Sequence, residues 1–259
     1  MAASVPVVDG VRLGVVVGSN LTADPLPGGV VERIEVTGRD GAPATVDLID
    51  HGPVVVLHRH GPSSVPASMV DHHANVRALC AAGCDRVVAL ASTGALRAHL
   101  SPGMVVAPDD LLALGTYPSF HGTTAGYGTR GFDLGWRAAV LETWRAVNTT
   151  PIVDGGTYAM TIGPRFETPA EVRMLAAHAD VVGMTLAAEC FLAAEAGLRY
   201  MALCTVDNMG NGIVAGEDPL AAHATHTAAG ADALRSDLVA LIERLSRSAG
   251  ETGGGFSLG

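Results

Sequence analysis

The sequence predicts a single α/β domain, and three observations predict it. Short apolar runs alternate with segments whose apolar residues recur at helical spacing. Several of the apolar runs end in small or polar residues, as the carboxyl ends of strands do in sheets that bind ligands there. No Pro- or Ser-rich linker and no internal repeat divides the 259 residues. The expected division is therefore one domain over residues 1–248 and a disordered Gly-rich tail over 249–259.

The elements follow in order. Residues 13–17 form a first strand ending in Gly18-Ser19-Asn20. Residues 30–49 read as two short strands around a Gly-Arg-Asp-Gly turn, and 54–58 as a strand ending in Arg59-His60-Gly61. A helix is expected over 70–82 with Gly83 as its stop, then a buried strand over 86–91 running into Ser92-Thr93-Gly94. Residues 104–107 follow a Pro-Gly turn as a further strand. The stretch 116–133 is rich in Gly and Thr and carries Tyr117, Phe120, His121 and Tyr127, which reads as a long functional loop. Beyond it come a helix at 137–147, a strand at 155–162, a helix at 169–177 and a strand at 181–184. A helix over 187–196 stops at Gly197, a strand spans 200–206, and a long helix over 219–246 closes the domain.

Composition narrows the chemistry. All 16 basic residues are arginine. Without lysine there is no Schiff base for pyridoxal phosphate and no Walker A lysine. A net charge of −10 argues against a protein that tracks nucleic-acid phosphates. The most apolar long stretch, 181–206, contains Glu189, Glu195 and Arg199, which does not suit a membrane span. The N-terminus lacks a basic region followed by a long apolar run, so the cytoplasm is the expected location. The four cysteines, Cys80, Cys84, Cys190 and Cys204, are scattered and read as core residues, with Cys80 and Cys84 expected on one helix. His72 and His73 are adjacent, cannot share a helix face, and read as helix surface.

Five strand ends bring Ser, Thr, Arg, His and Asp toward one polar pocket. Gly18-Ser19 can offer backbone N–H groups and a hydroxyl to an anion, or be a plain turn. Arg59 at the end of a buried strand needs an anionic partner, which is either a structural carboxylate or a bound ligand. With His60, Ser19, Ser92 and Thr185 it has the makeup of a phosphate pocket.

The longest signal is Gly155-Gly-Thr-Tyr-Ala-Met-Thr-Ile-Gly-Pro-Arg-Phe-Glu-Thr-Pro-Ala-Glu171, followed by Ala-Asp-Val-Val-Gly-Met-Thr185 and Glu189. This pattern resembles the trimeric purine nucleoside phosphorylases and 5′-methylthioadenosine phosphorylases. The resemblance runs from residue 13 to 246 and includes "RHG", "HANVRAL", "GAL" and "SPGMVV" in order. It implies an α/β domain of nucleoside phosphorylase type, with a mixed, partly barrel-like central sheet flanked by helices, assembled as a homotrimer.

Carried over position by position, the resemblance implies that Ser19, Arg59, His60, Ser92 and Thr185 surround inorganic phosphate. It places Met184, Tyr158 and His223 along the ribose, and has Phe120 reach a neighbour's site across the trimer interface. Phe166 packs on the purine, Glu167 faces its Watson–Crick edge, and Asp207 bonds the base near N7 and the 6-substituent. Glu171 and Glu189 hold helices and loops. Phosphorolysis passes through an oxocarbenium-like sugar, and a buried aspartic acid can protonate the leaving purine at N7. Asp207 is thus the expected catalytic residue, or else a cap for the Asn-Met-Gly-Asn-Gly loop after it. No metal and no cofactor is expected; phosphate is the co-substrate, and neither nucleic acid nor membrane is a partner.

Departures from the family pattern are Asn20 for glycine, Ala91-Ser92-Thr93 in the second phosphate loop and Ala187-Ala188 before the glutamate. The expected reaction converts a purine nucleoside and phosphate to free purine and (deoxy)ribose 1-phosphate. Asp207 favours a 6-aminopurine, with 5′-methylthioadenosine first, because a carboxylate accepts from N6–H2. A 6-oxopurine nucleoside, suggested by Glu167, is the alternative. A phosphate-independent nucleosidase and a non-catalytic nucleoside binder are the readings from other classes.

Overall fold

The structure, a computed structural model, describes residues 12–19, 21, 25–26, 28–115, 117–121, 131–216 and 218–251, the side chains of 228–229 and 247–251 excepted. Asn20, Tyr127 and the tail from residue 252 lie outside the described residues. An 11-stranded mixed sheet forms the middle layer.

Strand β5 (Cys84–Ala95) organises the sheet. Its run of Val, Ala and Leu is buried on both faces, as a strand covered by helices on either side must be. It pairs in parallel with β1 (Arg12–Val17) on one edge and with β11 (Arg199–Met209) on the other. At its end it also pairs antiparallel with β10 (Val181–Gly183). The sheet therefore branches at β5. One arm runs through β1 to β4 (Val54–His58), β3 (Pro43–Asp50) and β2 (Val30–Thr37). A second runs through β10 to β9 (Thr157–Met160) and β7 (Asp110–Ala113). The third continues from β11 to β6 (Val105–Ala107) and β8 (Ile152–Asp154).

Helices cover both faces. Helix α1 (His72–Ala81) and α4 (Leu186–Glu195) bury Val76, Leu79, Leu186 and Leu192 against one face. Helix α2 (Leu134–Val147) and α5 (Pro219–Glu251) bury Trp136, Trp144, Leu238 and Leu241 against the other. Helix α3 (Pro169–Ala176) packs a smaller cluster around Val172 and Leu175. Helix starts carry the expected chemistry: Asp71 accepts from the Ala74 N–H, and Asp133 from that of Trp136. Thr168 and Glu171 form a reciprocal capping box with Pro169 just inside.

Most expected elements appear, with longer or shorter bounds. Strands β5 and β11 extend into the polar residues that were read as their ends. Strands β7 and β8 were not foreseen, because three or four residues are too few to show a period. The expected strand 155–162 is strand only over 157–160. Helix α5 runs to Glu251, past the expected boundary at 248. Cys80 lies in the last turn of α1 and is exposed, whereas Cys84 opens β5, because Gly83 (φ +79°) turns the chain between them. His72 is buried beside the Arg59–Glu189 cluster rather than at the helix surface, and only His73 faces outward, toward Phe120.

Candidate active site

The carboxyl ends of β1, β4 and β5 meet the start of α4 and the segment before α3 around a cavity of about 280 Å³. Ser19, Arg59, His60, Ser92, Phe166, Glu167, Met184, Thr185 and His223 all line it.

Arg59 directly follows β4, where its N–H bonds the Val17 carbonyl at 2.9 Å. Its guanidinium meets Glu189 of α4 as a fork, Nε to Oε2 at 2.8 Å and Nη2 to Oε1 at 3.1 Å. Nη1 donates to the Leu90 carbonyl at 2.8 Å. Of the two partners open to Arg59, the structure thus contains the carboxylate, and Glu189 is the positioning group it was read as. Burial opposes the Glu189 charge, but Arg59 and the Tyr200 hydroxyl, which donates at 2.7 Å, hold its carboxyl below the usual range. Arg59 remains part of the cavity wall. Its charge is answered, so an anion there relies as much on hydroxyl and N–H dipoles as on net charge.

His60 follows Arg59. Its Nδ1 lies 2.8 Å from the Val65 carbonyl, so Nδ1 carries a proton. Burial, aided by the Arg59 charge, pushes the imidazole pKa down. Ser19 is exposed at the rim beside Gly18. Ser92 sits on β5 with its hydroxyl 3.4 Å from His223 Nδ1.

Thr185 is the first residue of the α4 turn and is buried. The N–H groups of Thr185 and Leu186 both point at the Tyr158 hydroxyl, 3.3 and 3.4 Å away. Tyr158 itself is fully buried and does not line the cavity. The ribose contact expected of it is corrected to a supporting one, because β9 aims its ring beneath the 183–186 turn. Gly183 permits that approach; a Cβ there would meet the Tyr158 oxygen at 2.5 Å. Gly163, with φ +66°, likewise lies where a Cβ would strike Met184 Sδ at 2.6 Å.

Phe166 and His223 meet edge to face with ring centroids 5.9 Å apart. Glu167 is buried and accepts from the Thr161 hydroxyl at 2.5 Å. The segment carrying both is fastened at its far end. Arg165 donates to both oxygens of Glu171 at 2.7 and 2.8 Å, and Glu171 accepts from the Thr168 N–H at 2.7 Å. These bonds hold the Glu171 carboxyl down to about 2.

One further expectation is corrected. Asp207 does not line this cavity. It lies in a register shift of β11 between Val206 and Asn208, and its side chain turns to a second cavity beneath α5. Asn208, the next residue and on the opposite face, lines the first cavity instead. Its Nδ2 donates to the Met209 carbonyl at 2.8 Å. The alternation of a strand carries this signal, since Thr205 and Asp207 share one face and Asn208 takes the other. Phe120 does not line the cavity of its own chain. It packs under the Arg77 guanidinium, 4.7 Å from the ring centre, and its N–H donates to Glu195 at 2.6 Å. His226, three residues after His223, places Nδ1 3.1 Å from the Asp207 carbonyl rather than in the cavity.

Among the described residues, no group of three or more His, Cys, Asp or Glu is placed to hold a metal ion. No helix among them is long and apolar enough to cross a membrane.

Known proteins resemble this chain over most of its length. Residues 12–243 match the family model described as the phosphorylase superfamily. The chain is 33% identical over 202 residues to a probable 6-oxopurine nucleoside phosphorylase of Archaeoglobus fulgidus, covering 78% of this chain and 83% of that protein. It is 34% identical over 221 residues to an S-methyl-5′-thioadenosine phosphorylase of Mycobacterium tuberculosis, covering 82% and 78%. Among solved structures it superposes on a methylthioadenosine phosphorylase of Schistosoma mansoni in complex with adenine. The TM-score is 0.76 at 26% identity, over 92% of each chain.

Proposed function

Because this chain belongs to the phosphorylase superfamily, we propose that it cleaves purine nucleosides with inorganic phosphate, releasing free purine and (deoxy)ribose 1-phosphate. One observation carries the reading. A single cavity gathers anion donors (Arg59, His60, Ser19, Thr185) and a base-recognition set (Phe166, Glu167, Asn208). The glycosidic bond loosens toward an oxocarbenium-like sugar, and phosphate held by the first set stabilises that charge and attacks the anomeric carbon. The purine leaves with the bond's electrons, steadied by the Asn208 amide N–H, and takes up through solvent the proton that the attacking monohydrogen phosphate gives up, so that free base and sugar phosphate dianion result. Phosphate is the co-substrate, and this chemistry calls for no further cofactor.

For the base, we favour a 6-oxopurine over the 6-aminopurine expected from Asp207. The Asn208 amide can donate to O6 or N7, and the Glu167 carboxylate can accept from N1–H. An adenine edge offers Glu167 only the unprotonated N1 and the N6–H2 group. Relatives of both base classes carry the fold, so the reading rests on these two side chains. We further propose a homotrimer working in the cytoplasm, with Phe120 contributed toward a neighbouring subunit.

The test is a panel of inosine, guanosine, adenosine and 5′-methylthioadenosine, with and without phosphate, read as free base and sugar 1-phosphate. Phosphate-dependent release with inosine or guanosine preferred is the expected result. Equal base release without phosphate would instead identify a nucleosidase.

A further inference from the structure

The second cavity, about 170 Å³ between β11, β6 and α5, holds a carboxylate that the reaction above does not use. Asp207 is 5% exposed, and its Oδ2 is buried without a hydrogen-bond partner. The Thr227 hydroxyl oxygen, buried in the same cavity, has none either. The strand is shaped to put the carboxylate there. In the register of β11 against β5, Val206 pairs with Thr93 and Asn208 with Gly94, so Asp207 falls out of the ladder and turns toward α5. A bulge of this kind re-aims a side chain. The helix opposite leaves room. Gly230 lines the cavity from the middle of α5, where glycine weakens a helix. A Cβ on it would meet no described atom within 4 Å. Gly103 and Ala233, both exposed, form the mouth.

The polar groups around this cavity are a one-sided set. Asp207 and Asp237 both line it, and a carboxylate only accepts. His226 turns Nδ1 to the Asp207 carbonyl, 3.1 Å away, so Nδ1 carries the proton and a neutral ring keeps Nε2 as an acceptor. Among the described residues no arginine lines the cavity. A buried carboxylate without a cation is costly, and burial pushes the Asp207 pKa up. The rest of the wall is apolar, with Val105, Ala231 and Leu234. An anion is repelled by such a lining. A metal ion finds no group of three or more His, Cys, Asp or Glu placed to hold it among the described residues. A primary ammonium on a short alkyl stem suits both halves. Its charge and three N–H donors match the acceptors, and its methylene groups match the apolar wall. We propose that this cavity is a binding site for a small alkylammonium ion, with the –NH3+ group held by Asp207 Oδ2 and the Thr227 hydroxyl.

The probe is n-butylammonium chloride, titrated calorimetrically into the wild-type protein with sodium chloride holding the ionic strength constant. One saturable site is expected, with a dissociation constant on the order of millimolar or tighter. Tetramethylammonium carries the same charge and no N–H, and should bind about tenfold or more weakly. Asp207→Asn keeps the shape and removes the charge, which should weaken n-butylammonium by about tenfold or more. Gly230→Leu leaves both carboxylates in place, favours the helix and fills the space beside it. It should abolish binding with the fold intact by circular dichroism, which separates loss of the site from loss of the fold. No saturable binding to the wild type, tetramethylammonium bound as tightly as n-butylammonium, or an affinity unmoved by Asp207→Asn and Gly230→Leu overturns the assignment. Nucleoside turnover enters none of these readings, so the site stands or falls apart from the proposed reaction.

Discussion

Arg59 and Glu189 are joined by two parallel hydrogen bonds, at 2.8 and 3.1 Å, across 130 residues of sequence, with both side chains sealed from solvent. The pair ties the end of β4 to α4, the two elements that supply Arg59 and Thr185 to the cavity. Removing the anion alone leaves a buried guanidinium without its partner. Glu189→Gln should therefore cost about 3–5 kcal/mol of stability, measured by urea unfolding. The Glu189 carboxyl sits below its ordinary value in the fold. Its contribution is present above the unfolded value of about 4.3 and is lost as pH falls through the folded value. Arg59→Ala should raise the KM for phosphate more than that for nucleoside; an equal rise in both would confine Arg59 to support.

Asn208 is the residue on which the base preference turns. Asn208→Asp replaces an amide that can donate with a carboxylate that only accepts. The inosine-to-adenosine ratio of kcat/KM should fall by roughly tenfold to a hundredfold. Asp207→Asn should leave that ratio in place, since its side chain faces the other cavity. A ratio that follows Asp207 instead of Asn208 would restore Asp207 to the base site.

Tyr158→Phe deletes one oxygen that two N–H groups at the start of α4 face. Both donors are then left without a partner in a buried turn, which should cost about 1–3 kcal/mol in thermal unfolding. Because Met184 and Thr185 lie in that turn, kcat/KM should fall as well, although the ring touches no ligand.

His72 is buried, its Nδ1 has no partner, and burial lowers its pKa to about 4. The unfolded chain titrates the same group near 6.5. Between these values the unfolded state binds more protons, so stability contributed by neutral His72 is present above about 6.5 and is lost as pH falls toward 4. His72→Asn should flatten the stability profile over that window by an amount on the order of 2 kcal/mol. An unchanged slope would place the titration elsewhere.

The proposed trimer predicts a single species of three subunits by light scattering. Phe120→Ala should weaken the nucleoside KM more than it weakens folding. A monomer turning over at the full rate would remove the shared site.

Much of this was legible in the sequence, and the misses share a cause. The strand ends at Ser19, Arg59, Ser92 and Thr185 could be read because each is a local pattern: an apolar run, then polar residues. Phe166, Glu167, Met184 and His223 reached the same cavity through a family pattern. Asp207 and Asn208 exchanged roles because a family pattern fixes order along the chain and not the face of a strand; the alternation that groups Thr205 with Asp207 was the local signal left unused. Tyr158 was expected at the ribose since spacing along a chain says nothing about depth. The partner of Arg59 stayed open for the same reason: Glu189 comes near it only after α4 packs on the sheet. The buried setting of His72 depends on that same packing.

The fastening of residues 165–171 has a consequence for timing. Arg165, Thr168 and Glu171 lock one another through bonds that need no ligand. The stretch bearing Phe166 and Glu167 thus has its shape before any nucleoside arrives. A mobile loop would have to surrender its freedom at each encounter, and that loss would be subtracted from affinity every time. Here the ordering is completed once, when the chain folds, and each later visitor meets a wall that is already standing.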